Sequence, residues 1–282
     1  SALSKHNQGW QSACGGSVSR ESEMSIIDKI PEMTDDELKR VGKNATEKLD
    51  DPKRHDEASE VLDAIDRQLE LRHIPGMIAT FKEQYPGGFY GEQQARDERD
   101  YKERAATEFQ EVLGRSEFEA LLHAGEYQTL YDRAARLVGL TNFIQGSFEK
   151  PVLLDAIKAN RDQYMAALYE FIWGAEDLEP RFNEFMRFSE SVGLAKWTYV
   201  TYFLFLSDPE KHMFVKPEML KRSLEISQYP LDYEPTPSYD QYRQILDFSQ
   251  WLKTRIAELE PRDMIDVHSF MWHMAPTGKW SQ

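Results

Sequence analysis

The sequence predicts a mainly α-helical bundle with an N-terminal helical hairpin and few or no strands. Apolar residues recur at spacings of three and four along most of the chain, as expected for helices that bury one face. Helix-start signals precede several of these stretches, and the clearest is the capping-box spacing of Thr34 and Glu37. Strand signals are limited to residues 213–215.

The N-terminal part of the chain is predicted to be a leader followed by the hairpin. Residues 1–23 are polar and rich in glycine and serine, and we expect them to be disordered or of non-native origin, with Met24 as the natural start. One helix begins near Asp35, and a second follows the break at Pro52. The hairpin therefore spans residues 24–73, and its second helix carries an apolar stripe of Ala58, Val61, Leu62, Ile65 and Leu69.

Two proline–glycine groups, at residues 74–76 and 85–88, are predicted to separate the hairpin from the main domain. Proline removes an amide N–H and glycine relaxes the backbone, so both groups interrupt a helical pattern. We expect residues 74–98 to be a linker and residues 99–282 to form the main helical domain. Between Arg96 and Arg104 acids and bases alternate, which predicts a solvated helix face with short-range ion pairs.

Composition and charge exclude several classes of function. The chain has 34 Lys and Arg against 49 Asp and Glu, and this net charge of −15 opposes broad phosphate neutralisation, so nucleic-acid binding is not expected. The single cysteine, Cys14, excludes an intramolecular disulfide and a multi-thiolate zinc site. The longest apolar stretch, residues 197–206, is about half the roughly 20 residues that cross a bilayer. We therefore expect a cytoplasmic protein without a membrane span.

Familiar catalytic and metal-binding motifs are absent from the sequence. It contains no dinucleotide-binding glycine motif, no phosphate loop, no His-Glu-x-x-His and no Gly-x-Ser-x-Gly. His268 and His273 are five positions apart, which puts them on different faces of a helix rather than on one metal. No cofactor and no metal are expected.

The segment around Lys216 carries the most specific prediction. Pro217 suits the first position of a helix and pushes Lys216 into an extended conformation just outside it. The helix dipole is positive there, so a cation is disfavoured by about 0.3–1 kcal/mol unless an anion lies nearby. That anion is either an internal carboxylate, of Asp208, Asp263 or Asp266, or a bound ligand. The internal partner is the interpretation that the sequence favours.

If the partner is a ligand carrying a phosphate or a carboxylate, the candidate binding groups are Lys216, His212, Asp263, Asp266 and His268. In that case Lys216 and His212 would bind the anion, and one of the two aspartates would act as acid or base. A structural role for the aspartates is favoured, with Asp263 as a helix cap and Asp266 in the first helical turn.

A proline- and tyrosine-rich connector covers residues 229–239. Such a stretch either docks into an aromatic groove or bridges two helices, and the helical patterns on both sides favour the bridge. Trp272, near the end of the chain, is expected to be a core or edge residue, although an exposed aromatic there would indicate a partner surface.

Several short motifs carry a resemblance to a known group of proteins. On these motifs the chain resembles an uncharacterised family of bacterial proteins over roughly residues 100–275, and residues 197–216 are similar to helical modules of bacterial restriction and defence proteins. The resemblance brings no established activity with it. The motifs are Thr141-Asn142-Phe143, Phe148-Glu149-Lys150, Lys196-Trp197-Thr198, Asp208-Pro209, His212-Met213-Phe214-Val215-Lys216-Pro217, Arg262-Asp263-Met264-Ile265-Asp266-Val267, Ser269-Phe270 and Trp272.

From these observations we expect a non-catalytic interaction or regulatory protein of the bacterial cytoplasm, with a protein partner and an association with a defence or DNA-processing system. The absence of catalytic motifs and the net negative charge favour this interaction or regulatory role. The alternative is an enzyme or sensor that binds an anionic small molecule at Lys216. A concave pocket containing Lys216 with an ordered anion would favour the alternative, and a flat apolar patch around residues 229–239 would favour the interaction protein.

Overall fold

A computed structural model describes residues 25–274, and these form a bundle of helices with no strand among them. The mainly α-helical fold predicted from the sequence is confirmed. The predicted leader, residues 1–23, lies outside the described residues. The helices are α1 (Ile26–Lys29), α2 (Asp35–Thr46), α3 (His55–Gln84), α4 (Glu92–Gln94), α5 (Asp100–Leu113), α6 (Arg115–His123), α7 (Tyr127–Leu140), α8 (Glu149–Ala159), α9 (Arg161–Trp173), α10 (Leu178–Ser191), α11 (Trp197–Ser207), α12 (Pro217–Ser227), α13 (Tyr239–Arg255) and α14 (Met264–Met274).

Contacts divide the chain into two compact units, with the boundary after Gln68. In the first unit, α2 begins with the predicted capping box, in which the backbone amide of Thr34 donates to Glu37 Oε2 at 2.8 Å. Helix α2 packs on the first part of α3, where a Cβ placed on Gly42 would lie 3.7 Å from Ile65 Cδ1. The glycine therefore allows the two helices to approach closely.

The second unit begins within α3, which runs without a break from His55 to Gln84 and includes Pro75. The break predicted at residues 74–76 is therefore wrong, and much of the predicted linker at residues 74–98 is helical. A proline inside a helix costs about 3 kcal/mol. Burying an apolar side chain yields about 1.5–3 kcal/mol, so the four buried side chains around Pro75 outweigh that cost: Ile74, Met77, Ile78 and Phe81.

Helix α11 lies in the core of the second unit, since every residue from Trp197 to Ser207 is buried. Helices α5, α9 and α10 contact it. Helix α14 contacts α12, α13 and a π-helical turn, Ala95–Arg99, that joins α4 to α5. The π turn, α5, the loop after α7, the residue before α12 and α14 contribute the side chains of the site described below.

The extended residues 213–215 pair with no strand in the described part of the chain. Instead, the backbone amide of Met213 donates to Tyr242 Oη at 3.2 Å, and that of Val215 donates to Thr201 Oγ1 at 2.9 Å. These side chains satisfy amides that a neighbouring strand would otherwise bind. The segment leads to Lys216 and to Pro217, which is the first residue of α12 as predicted.

Candidate anion-binding site

Three charged residues of the π turn and α5 are buried against α14. Glu98, Arg99 and Lys102 are 8%, 6% and 1% exposed. The solvated helix face predicted for this stretch is wrong at these positions, although Arg96 is exposed as expected. The partners of Arg99 and Lys102 on α14 and just before it lie 164 to 167 positions later in the chain, beyond the reach of local patterns. A π turn such as the one here is frequent at functional sites.

Arginine–aspartate pairs form one half of this buried cluster. Arg99 donates two parallel hydrogen bonds to Asp263, at 2.7 and 2.8 Å, and a third to Asp266 Oδ1 at 3.1 Å. Arg262 Nε donates to Asp266 Oδ2 at 2.8 Å. Asp263 also accepts from the backbone amide of Ile265 at 3.0 Å, so the predicted helix cap is present. Two guanidinium groups thus neutralise two carboxylates.

Lys102 lies at the centre of the other half of the cluster. Its ammonium group has three protons and three partners: Glu98 Oε2 at 2.5 Å, Ser269 Oγ at 2.9 Å and His268 Nδ1 at 3.5 Å. Burial lowers the pKa of Lys102, although the Glu98 carboxylate opposes the shift. Burial of Glu98 acts against its ionisation, but His273 and Lys102 hold the pKa of that carboxyl below its ordinary value. Glu98 therefore neutralises Lys102.

A pocket of about 40 Å³ lies beside this cluster. Its floor consists of buried side chains, and its mouth consists of side chains that are partly or fully exposed. Lys102, Phe143 and His268 form the floor together with Glu98, and Tyr101, Asn142, Lys216 and Trp272 form the mouth. The pocket thus combines polar donors with aromatic walls, which is the usual composition of a ligand site.

Lys216 is held at the mouth by its position before α12. It has the predicted extended backbone, with φ −103° and ψ 110°. Its Nζ lies 4.7 Å from the centroid of the Trp272 ring, within the range of a cation–π interaction. Burial lowers the pKa of Lys216, and the carboxylate of Glu149 opposes this only in part. The lysine is therefore a partly buried cation at the positive end of a helix.

The internal ion pair that the sequence favours for Lys216 is not present. Within residues 25–274, no carboxylate oxygen lies within 4.0 Å of its Nζ. Asp208 instead binds Lys211 Nζ at 2.7 Å, and Asp263 and Asp266 bind the arginines. The charge of Lys216 is therefore not neutralised by a direct contact within the described part of the protein.

His268 lines the same pocket and has an unsatisfied polar group. Its Nε2 is buried and has no hydrogen-bond partner among the residues that the structure describes. A lysine ammonium can only donate, so the contact with Lys102 makes Nδ1 the acceptor and leaves the ring proton on Nε2. Burial holds the pKa of His268 well below its ordinary value, so the ring is neutral. An unpaired buried donor costs about 1–3 kcal/mol, which an acceptor atom of a ligand would recover.

Comparison of the chain with family models, with curated proteins and with solved structures finds no match. Among the described residues, no group of three or more His, Cys, Asp or Glu side chains is placed to hold a metal ion. Likewise, no helix in this part of the chain has both the length and the apolar character that crossing a membrane requires.

The pocket contains two of the five predicted site residues, Lys216 and His268. Asp263 and Asp266 belong to the arginine cluster and do not line it. His212 packs elsewhere, with its ring centroid 6.4 Å from that of Tyr242.

Sequence reasoning missed Lys102 and the aromatic walls of the pocket. One signal was available for Lys102. Glu98 and Lys102 continue, at spacings of three and four, the buried stripe of α5 that contains Ala105, Phe109 and Leu113.

Proposed function

We propose that the protein binds a small anion in the pocket at the start of α12. The proposal rests on one observation. Lys216 is a partly buried cation, and among residues 25–274 no carboxylate oxygen lies within 4.0 Å of its Nζ. The free amides and the dipole of the helix N-terminus add to the positive potential at this point. A negative group bound there would relieve the cost of holding Lys216 in place.

The balance of charge in the pocket supports the proposal. Glu98 and Lys102 neutralise each other, and His268 is neutral because burial depresses its pKa. The pocket therefore has one uncompensated positive charge, on Lys216. The unpaired Nε2 of His268 is an independent observation that supports the same conclusion, because it adds a buried hydrogen-bond donor beside that charge.

Binding is supported better than catalysis at this site. The two aspartates that would act as acid or base are engaged by Arg99 and Arg262 and do not line the pocket. We therefore propose a sensor or binding protein. Its setting in a bacterial cytoplasm, linked to a defence or DNA-processing system, rests on the sequence and its resemblance alone.

The interaction role that the sequence favours has weaker support. The tyrosines of the connector, Tyr229, Tyr233 and Tyr239, pack against the core and do not form a flat apolar patch. Two large apolar side chains one turn apart are exposed, Phe148 at 77% and Val152 at 51%. Two side chains supply little of the roughly 1,200–2,000 Å² that a stable protein interface buries.

Calorimetric titration of the unmodified protein tests the proposal. Sodium propionate, phosphate and sulfate are titrated separately in a buffer of low chloride concentration. We expect at least one of these anions to bind with one site per chain and to raise the melting temperature. If all three produce only heats of dilution up to high millimolar concentration, the proposal is rejected.

A further inference from the structure

We infer that the ligand of this pocket is a carboxylate with a single negative charge, held between Lys216 Nζ and His268 Nε2. The inference rests on the proposed function and names its ligand class. Three features favour a carboxylate over a phosphate: the size of the cavity, the charges around it and the two donor groups that line it.

The size of the cavity limits what it can enclose. One ordered water needs about 10–15 Å³ of such space, so 40 Å³ holds about three non-hydrogen atoms. The carbon and two oxygens of a carboxylate group match that number. A phosphate group, with its phosphorus and four oxygens, exceeds that number. The remainder of a carboxylic acid would extend through the mouth, past the Trp272 ring.

The charges around the cavity favour a monoanion. Glu98 lines the pocket, and its pKa is held low, so it is ionised at neutral pH. Glu149 is close enough to act on the charge of Lys216. A phosphate dianion would bring two negative charges near these carboxylates, and like charges repel at this range. One carboxylate instead balances the single charge of Lys216.

Two donor groups are available for the two oxygens of a carboxylate. Lys216 provides its ammonium group at the mouth, and His268 provides the ring N–H at Nε2. Lys102 is a positioning residue, since its three protons are already bound by Glu98, Ser269 and His268. By donating to Nδ1 it fixes the tautomer of His268 that donates from Nε2.

A competition between ligands of different charge tests the inference. Sodium propionate, sodium phosphate and propionamide are titrated calorimetrically into the full chain at neutral pH and low chloride. We expect propionate to bind at least about tenfold more tightly than phosphate, and the neutral amide to show no binding. If phosphate binds as tightly as propionate or more tightly, the carboxylate inference is overturned while anion binding stands. If neither salt binds, both proposals fail.

The tautomer of His268 is tested separately in the unmodified protein. A long-range ¹H–¹⁵N spectrum of the protein labelled on histidine distinguishes a ring with its proton on Nε2 from one with its proton on Nδ1. The signal of His268 among the 7 histidines is assigned by its loss in His268→Gln. We expect a neutral ring with the proton on Nε2. A proton on Nδ1 would contradict the role given to Lys102.

Discussion

The ammonium group of Lys216 lies 4.7 Å from the centre of the Trp272 ring, so an aromatic face holds the cation of this pocket. A cation–π contact contributes about 0.5–2 kcal/mol without cancelling the charge. Lys221, five positions later and within α12, shows the contrast. It also lies over a ring, that of Tyr233 at 5.6 Å, but it is paired with the carboxylate of Glu218. The charge of Lys216 is therefore available to a ligand, whereas that of Lys221 is neutralised by Glu218.

Replacing Trp272 by leucine should weaken anion binding. The variant keeps apolar cover at the mouth but removes the ring that holds Lys216, and a loss of about 0.5–1 kcal/mol corresponds to roughly two- to fivefold in affinity. Calorimetric titration with propionate measures the change. The control is Trp251→Leu, which removes a ring lying under Arg255, outside the pocket. If both variants bind propionate as tightly as the unmodified protein, the ring does not position Lys216.

Replacing Arg99 by methionine should destabilise the protein strongly. The change leaves Asp263 and Asp266 without one of their buried cations, and breaking a buried ion pair typically costs about 3–5 kcal/mol. Urea denaturation measures the free energy of unfolding. The control lies three positions earlier: Arg96→Met removes an exposed arginine beside Asp97 and should cost less than about 0.5 kcal/mol. Similar losses in the two variants would contradict a buried cluster.

The sequence predicts the positions of single residues well when the signal is local. The capping box of Thr34, the helix start at Pro217 and the extended conformation of Lys216 all depend on neighbours within four positions, and all are present. Tertiary burial overrides a local signal at residues 74–81. The proline there predicts a helix break, but the packing of its buried neighbours keeps Pro75 inside α3.

The long-range partners of Arg99 and Lys102 could not be read from local patterns, because they come from α14 or the residue before it. An indirect signal was present in α14 itself. Apolar residues occur on all sides of that helix, as Ile265, Val267 and Phe270 illustrate, so its polar residues had to be buried with them. Such a pattern indicates buried polar side chains without indicating which charges they meet.

His212 should make stability depend on pH in a defined direction. Burial lowers its pKa from 6.5 to about 4, and Asp208 opposes this only in part. As the pH falls below about 6.5, the unfolded chain binds a proton on this residue while the folded protein does not, so stability decreases. On acidification from about pH 7 to about pH 5, the free energy of unfolding of His212→Gln should fall by roughly 2 kcal/mol less than that of the unmodified protein.

Urea denaturation at the two pH values measures this difference. The control is His55→Gln, which replaces an exposed histidine and should leave the pH dependence of the unmodified protein in place. If His212→Gln loses as much stability on acidification as the unmodified protein, the buried neutral state of His212 is contradicted.

Replacing Thr201 by valine should loosen the segment that leads to Lys216. Thr201 Oγ1 accepts the backbone amide of Val215, so the variant leaves a buried N–H unpaired at a cost of about 1–3 kcal/mol. Both the free energy of unfolding and the affinity for propionate should decrease. Thr198→Val is the control, since Thr198 is also buried on α11 but its hydroxyl makes no hydrogen bond to the described residues. Equal effects of the two substitutions would argue against a role for the Thr201–Val215 hydrogen bond in holding this segment.

The most direct test of the account compares Lys216→Met with Lys221→Met in parallel calorimetric titrations with sodium propionate. Each variant removes one positive charge, from the residue before α12 or from within α12, and only Lys216→Met removes it from the pocket. We expect Lys216→Met to remain folded by circular dichroism and to lose binding, and Lys221→Met to bind within about twofold of the unmodified protein. Unchanged binding in a folded Lys216→Met protein, or an equal loss in both variants, would contradict the account.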